Sequence, residues 1–92
     1  MEEEKIQTLH PIPGKTNKRI SLRKYDMIRE AMLAILAGRE LTHTLLMEDL
    51  YASMKDTFEG GVHWYGETVK LDLEARGVIE RVKGRPERYR LC

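Results

Sequence analysis

Cysteine is almost missing from this chain of 92 residues: there is one, Cys92, at the last position. A single cysteine closes no intrachain disulfide, which excludes a disulfide scaffold and fits a reducing compartment. Its place also excludes a prenylation box, whose cysteine stands fourth from the end. Long apolar runs are missing as well. None nears the roughly 18 residues that span a bilayer, so no membrane partner is expected. The opening MEEEK is acidic where a secretory signal has an apolar stretch, and a cytoplasmic protein is expected. Aromatics are few, with one Trp, one Phe and four Tyr.

Chemistry-bearing patterns are equally scarce. His10, His43 and His63 lie far apart, with no ligand spacing and no second cysteine, so no metal site and no cofactor are expected. Gly14-Lys15-Thr16 imitates the end of a P-loop, but Leu9 stands where that loop has its first glycine and no strand precedes it. No carboxylate pair, nucleophile motif or Gly-rich loop appears, and so small a chain has little room for a deep pocket. The expectation is a protein that is not an enzyme.

What is present is a charge pattern. The net charge is only +1, yet residues 5–24 hold six bases and no acid, residues 25–60 seven acids against three bases, and residues 78–92 five bases against two acids. A basic arm and a basic tail thus flank an acidic body, an asymmetry that can steer a polyanion. The alternative is ordinary solvated charge.

Residues 1–20 read as an N-terminal basic arm, broken by Pro11, Pro13 and Gly14, whose Ile6, Leu9, Ile12 and Ile20 should dock on the body. Residues 21–92 read as one domain. The spacing of Tyr25, Ile28, Met32, Ile35 and Leu36 predicts a helix over 22–37, capped by Ser21 and stopped by Gly38. Leu41-Thr42 fits a short strand. A second helix should start near Thr44 as its cap, with Leu46, Leu50, Met54 and Tyr51 inward. A third should run from Val62 or His63 to Arg76, ended by Gly77. Two short strand-like runs follow, from Val78-Ile79 to Val82 and from Arg88 to Leu91. The Lys83-Gly84-Arg85-Pro86 turn lies between them. The expected core comprises Tyr25, Ile28, Met32, Ile35, Leu46, Leu50, Val69, Leu73 and Ile79.

The order is arm, helix, short strand, helix, helix, hairpin. With the pattern TVKLDLEARGVIERV over Thr68–Val82, residues 22–91 resemble the winged helix-turn-helix superfamily. HPIPGK in the arm and HWYGETVKLDLEARG in the third helix also resemble a family of small bacterial winged-helix proteins with no assigned function. The resemblance implies a mainly α fold with a small β-hairpin (α+β): a three-helix winged helix with an N-terminal arm. It further implies double-stranded DNA as partner, with the third helix in the major groove and the hairpin on the backbone, in transcription control.

The third helix fits that role poorly. Val62, Tyr65, Val69 and Leu73 form its core row. His63, Glu67, Lys70 and Glu74 form a polar stripe. Trp64, Thr68, Leu71 and Ala75 form a third, mostly apolar row, roughly 140° or more from the core row at about 100° per residue. Groove-reading helices present Arg, Lys, Asn, Gln, Ser or Thr there. The third row is open to three readings: cover by the arm, a protein or homodimer interface, or aromatic stacking on unpaired bases. Arg81, Lys83, Arg85, Arg88 and Arg90 on the hairpin suit phosphate, or serve only to protect a strand edge. The nucleic-acid reading therefore takes its contacts from Lys15, Lys18 and Arg19 in the arm, from His63, Thr68 and Lys70 in the third helix, and from Arg81, Lys83, Arg85, Arg88 and Arg90. The rival is a protein-interaction module with Trp64 and Leu71 at the interface.

Overall fold

Ser21 ends one strand and starts one helix. Its Oγ accepts a hydrogen bond from the Lys24 amide at 3.2 Å, capping the helix, and donates to Glu3 Oε1 at 2.6 Å. That hydrogen bond lowers the Glu3 pKa, with Arg23 3.7 Å away on the same side. The computed structural model describes residues 3–92; the first two positions of the acidic start lie outside the described residues.

The arm has regular structure of its own. Strands β1 (Lys5–Gln7) and β2 (Arg19–Ser21) pair antiparallel, with Ile6 opposite Ile20. The sequence carried no sign of this pairing, because each strand is three residues long and eleven residues separate them. Ile20 is buried and Ile6 packs against the core.

Helix α1 (Leu22–Leu36) stops before Gly38, whose φ of +70° suits a residue without a Cβ. Strand β3 (Leu41–Thr42) follows. Helix α2 (His43–Met54) is capped by Thr42, not Thr44: the Thr42 hydroxyl accepts from the Leu45 amide at 3.2 Å. Helix α3 (Val62–Ala75) starts at Gly61 without a side-chain cap. It ends in a Schellman turn, in which the Val78 amide bonds Leu73 O at 2.9 Å and the Gly77 amide bonds Glu74 O at 3.2 Å. Strands β4 (Ile79–Val82) and β5 (Arg88–Leu91) form the hairpin, and β3 adds to it, giving an antiparallel sheet in the order β3-β5-β4. The fold is mainly α with a small sheet (α+β): an arm, three helices and a hairpin wing.

The core lies where the three helices meet the sheet. Tyr25, Ile28, Met32 and Leu36 of α1 pack with Leu46 and Leu50 of α2, Val69 and Leu73 of α3, and Ile79 and Tyr89 of the sheet. Of the expected core residues only Ile35 is partly exposed, and it still packs against this cluster. Tyr51 differs from expectation: it is 46% exposed. Gly66 allows α2 and α3 to touch. A Cβ there would stand 2.7 Å from Leu50 Cδ2 and 3.1 Å from Met47 Sδ.

Candidate functional site

Helix α3 is held from both flanks. On one side the arm docks by hydrogen bonds. The Leu9 amide donates to Asp72 Oδ1 at 2.8 Å, and Asn17 Nδ2 donates to Thr68 O at 3.0 Å and to Leu9 O at 2.9 Å. On the other side the wing closes in. Arg81 pairs with Glu74 at 3.3 Å, and the Lys70 ammonium lies 3.8 Å from the Tyr89 ring centroid. The strip left between arm and wing carries His63, Trp64, Glu67, Leu71 and Glu74.

Asp72 anchors the arm. It is fully buried and accepts hydrogen bonds from the Leu9 amide, the Tyr25 hydroxyl and Arg76 Nε. Burial, and then the hydrogen bond to Asp72, push the Tyr25 phenol up to about 12. The Arg76 pKa rises for the same hydrogen-bonded reason. Little in the residue pattern signals a buried acid here; the only trace is the i,i+4 spacing of Asp72 and Arg76.

The expected nucleic-acid contacts divide into two groups. Thr68 and Lys70 are only 5% and 4% exposed, so neither presents its side chain to a partner. Arm and wing cover the two flanks of α3 and take these residues with them. Arg81 pairs with Glu74 and Glu87, and Arg90 with Glu80 and Glu40. The hydrogen bond to Glu80 raises the Arg90 pKa. His63 is exposed. Lys15, Lys18, Arg19, Lys83, Arg85 and Arg88 are exposed and make no ion pair among the described residues.

The arm covers only part of the apolar row. Trp64 is 49% exposed and Leu71 is half-buried, while Leu9 and Ile12 of the arm also stay open. The arm packs on Asp72 and on the Thr68 member of the row, with Ala75 beside its loop, and stops short of Trp64. At the N-terminal end of α3 lies a notch of about 330 Å³ lined by Tyr51, Lys55, Phe58, His63 and Trp64. Tyr51 and His63 pack at 5.5 Å between ring centroids, and Trp64 meets Tyr65 edge-on at 4.8 Å. Asp56, Glu59 and Glu67 around it are exposed and make no ion pair among the described residues. Lys55 lines the notch, and the Lys24 ammonium lies 5.9 Å from the Phe58 ring centroid, so cations as well as acids stand at this end.

No three His, Cys, Asp or Glu side chains converge as metal ligands among the described residues. Among the described residues no helix is long and apolar enough to cross a membrane.

A family of unknown function (DUF6958) matches residues 5–89. The chain belongs to this family. The match takes in arm, helices and wing down to Tyr89, so the arm is part of the family unit and not an appendage to it. Searches of curated proteins and of solved structures give no match.

Proposed function

We propose that this DUF6958 protein is a non-enzymatic interaction module of winged-helix type, and that the strip of α3 between arm and wing docks on another polypeptide. The observation that carries the proposal is the sorting of side chains on α3. Its one lysine, Lys70, and its one threonine, Thr68, are turned into the flanks, while Trp64, Leu71 and Glu67 face out. Protein contact surfaces combine an apolar centre with a polar rim, and Trp is enriched among the residues that dominate binding. A phosphate backbone brought to the same strip would meet Glu67.

Photo-crosslinking in cells tests the proposal. Benzoylphenylalanine replacing Trp64 or Leu71 is expected to form adducts with polypeptide, and the same group replacing Glu30 on the exposed side of α1 is not. Equal yields at the three positions, or adducts with nucleic acid alone, would overturn it.

A second reading, double-stranded DNA binding in transcription control, is favoured by one observation. The unpaired bases Lys15, Lys18 and Arg19 lie on the arm, and Lys83, Arg85 and Arg88 lie on the wing, so cations flank α3 on both sides. Such binding would be chiefly electrostatic, steeply salt-dependent and indifferent to sequence. Failure of the chain to bind a duplex at low salt removes this reading.

A further inference from the structure

We infer that the concavity between the arm loop and the end of α3 binds a small organic oxyanion, a carboxylate or a phosphate monoester, through Lys15, His10 and Thr16. This site is separate from the protein-contact strip and does not depend on it.

The loop that shapes the concavity is tied down at both ends. The Thr8 amide and hydroxyl both donate to Lys18 O, continuing the pairing of β1 and β2. Asn17 Nδ2 bridges Leu9 O and Thr68 O, and the Leu9 amide reaches Asp72. Between these ties the chain turns back on itself, with the Lys15 amide bonded to Ile12 O at 3.2 Å. What remains between this loop and Ala75 is a hollow of about 580 Å³, within the size range of small-molecule sites.

Most polar groups of its wall are already bonded within the loop. The Gln7 amide nitrogen donates to Asn17 O and Thr8 O, and both the nitrogen and the oxygen of the Asn17 amide have partners. The groups left over are chiefly donors. His10 Nδ1 accepts the Ile12 amide at 3.1 Å, so the ring hydrogen stands on Nε2 as a free donor. Lys15 and Thr16 line the hollow and are exposed. Gln7 Oε1 remains as an uncharged acceptor, and no acid is among the described residues that line the hollow. Negative groups on the adjoining end of α3 are compensated. Arg76 pairs with Asp72, and the Val78 and Gly77 amides bond Leu73 O and Glu74 O. An ammonium, a ring N–H and a hydroxyl around one hollow suit the oxygens of an anion, with the ammonium giving the strongest bond. Leu9 and Ala75 offer aliphatic surface to the rest of the ligand. Gly14-Lys15-Thr16 takes part in this site, but not as a P-loop, because strand β2 and not a helix N-terminus follows it.

Two-dimensional NMR of the isotope-labelled full chain, titrated at constant ionic strength with inorganic phosphate and separately with butyrate, is the test. The expected result with at least one probe is a saturable shift in the low millimolar range, confined to the loop from Gln7 to Asn17 and to Ala75. Saturation by phosphate alone assigns a phosphate ligand, and saturation by butyrate alone a carboxylate. Lys15→Gln, on the exposed loop, should weaken binding roughly tenfold while leaving the core signals in place. Thr16→Val should weaken it less, and Arg85→Gln on the wing should leave it unchanged. Shifts that never saturate with either probe overturn the inference. So do shifts that spread equally to Arg85 and Arg88, and binding that survives Lys15→Gln.

Discussion

The Lys70 ammonium sits 3.8 Å from the centroid of the Tyr89 ring, and only 4% of Lys70 is exposed. Arg81 approaches the same ring at 5.5 Å. Lys70 thus ties α3 to the wing through the Tyr89 ring and is withdrawn from the surface, while Arg81 shares that ring within the wing, reaches α3 by pairing with Glu74 and stays exposed. Replacing Lys70 with Ala should cost about 1–2 kcal/mol of stability through lost packing and cation–π attraction. It should leave any duplex affinity unchanged. Replacing Arg85 and Arg88 with Ala should do the reverse, since both are exposed and unpaired among the described residues. Urea unfolding and fluorescence anisotropy at low salt read the two effects separately.

Asp72 should be the residue whose loss frees the arm. Asp72→Ala leaves the Tyr25 hydroxyl, the Leu9 amide and Arg76 without their acceptor. A loss of about 3 kcal/mol is expected, at the low end for a buried pair because Arg76 is partly solvated. Amide hydrogen exchange at Leu9 and Thr8 should quicken more than at Ile28, since the arm opens before the core does.

Tyr25 sets a limit on alkaline stability. Its folded pKa is about 12, raised above the ordinary 10 by burial and by Asp72. The unfolded chain therefore loses this proton first. The stabilisation is fully present below pH 10 and is lost as pH rises from 10 towards about 12. Tyr25→Phe should flatten the fall in melting temperature across that window. Spectroscopic titration should show a phenol ionising at about 12 in the parent chain that is missing from Tyr25→Phe.

Much of this fold was legible in the sequence because its signals are local. Ser21 caps α1, Gly77 with Val78 closes α3, and the core rows recur at helical spacing. What was not legible depends on neighbours distant along the chain. A helical wheel places Thr68 and Lys70 away from the core row, and so they are; it cannot show that the arm and the wing supply two more walls. The burial of Asp72 is hidden for the same reason, since its partners come from α1 and from the arm. Thr42 and Thr44 are equivalent as caps until strand β3 fixes where the backbone turns. For the candidate site, the doubt over α3 as a groove reader came from its acids and Trp64, which composition shows. The exposure of Leu9, Ile12 and Tyr51 needed the coordinates.

Gly66 should resist substitution. An added methyl would meet Leu50 Cδ2 at 2.7 Å, and Leu50 is fully buried with little room to retreat. Alanine gains up to about 1 kcal/mol in helix propensity, but the overpacking costs about 1–3 kcal/mol. Gly66→Ala is expected to be destabilising by about 1–2 kcal/mol in chemical denaturation. Gly66→Ala with Leu50→Val should recover part of that loss.

Trp64 is the chain's single tryptophan, so its fluorescence reports directly on what covers the α3 face. Acrylamide quenching of Trp64, measured over a range of protein concentration and again with duplex DNA at low salt, tests the protein-contact face most directly. The expected result is that adding duplex leaves Trp64 quenching and emission unchanged at every protein concentration. Quenching that is suppressed by duplex would contradict it and return α3 to the nucleic-acid reading.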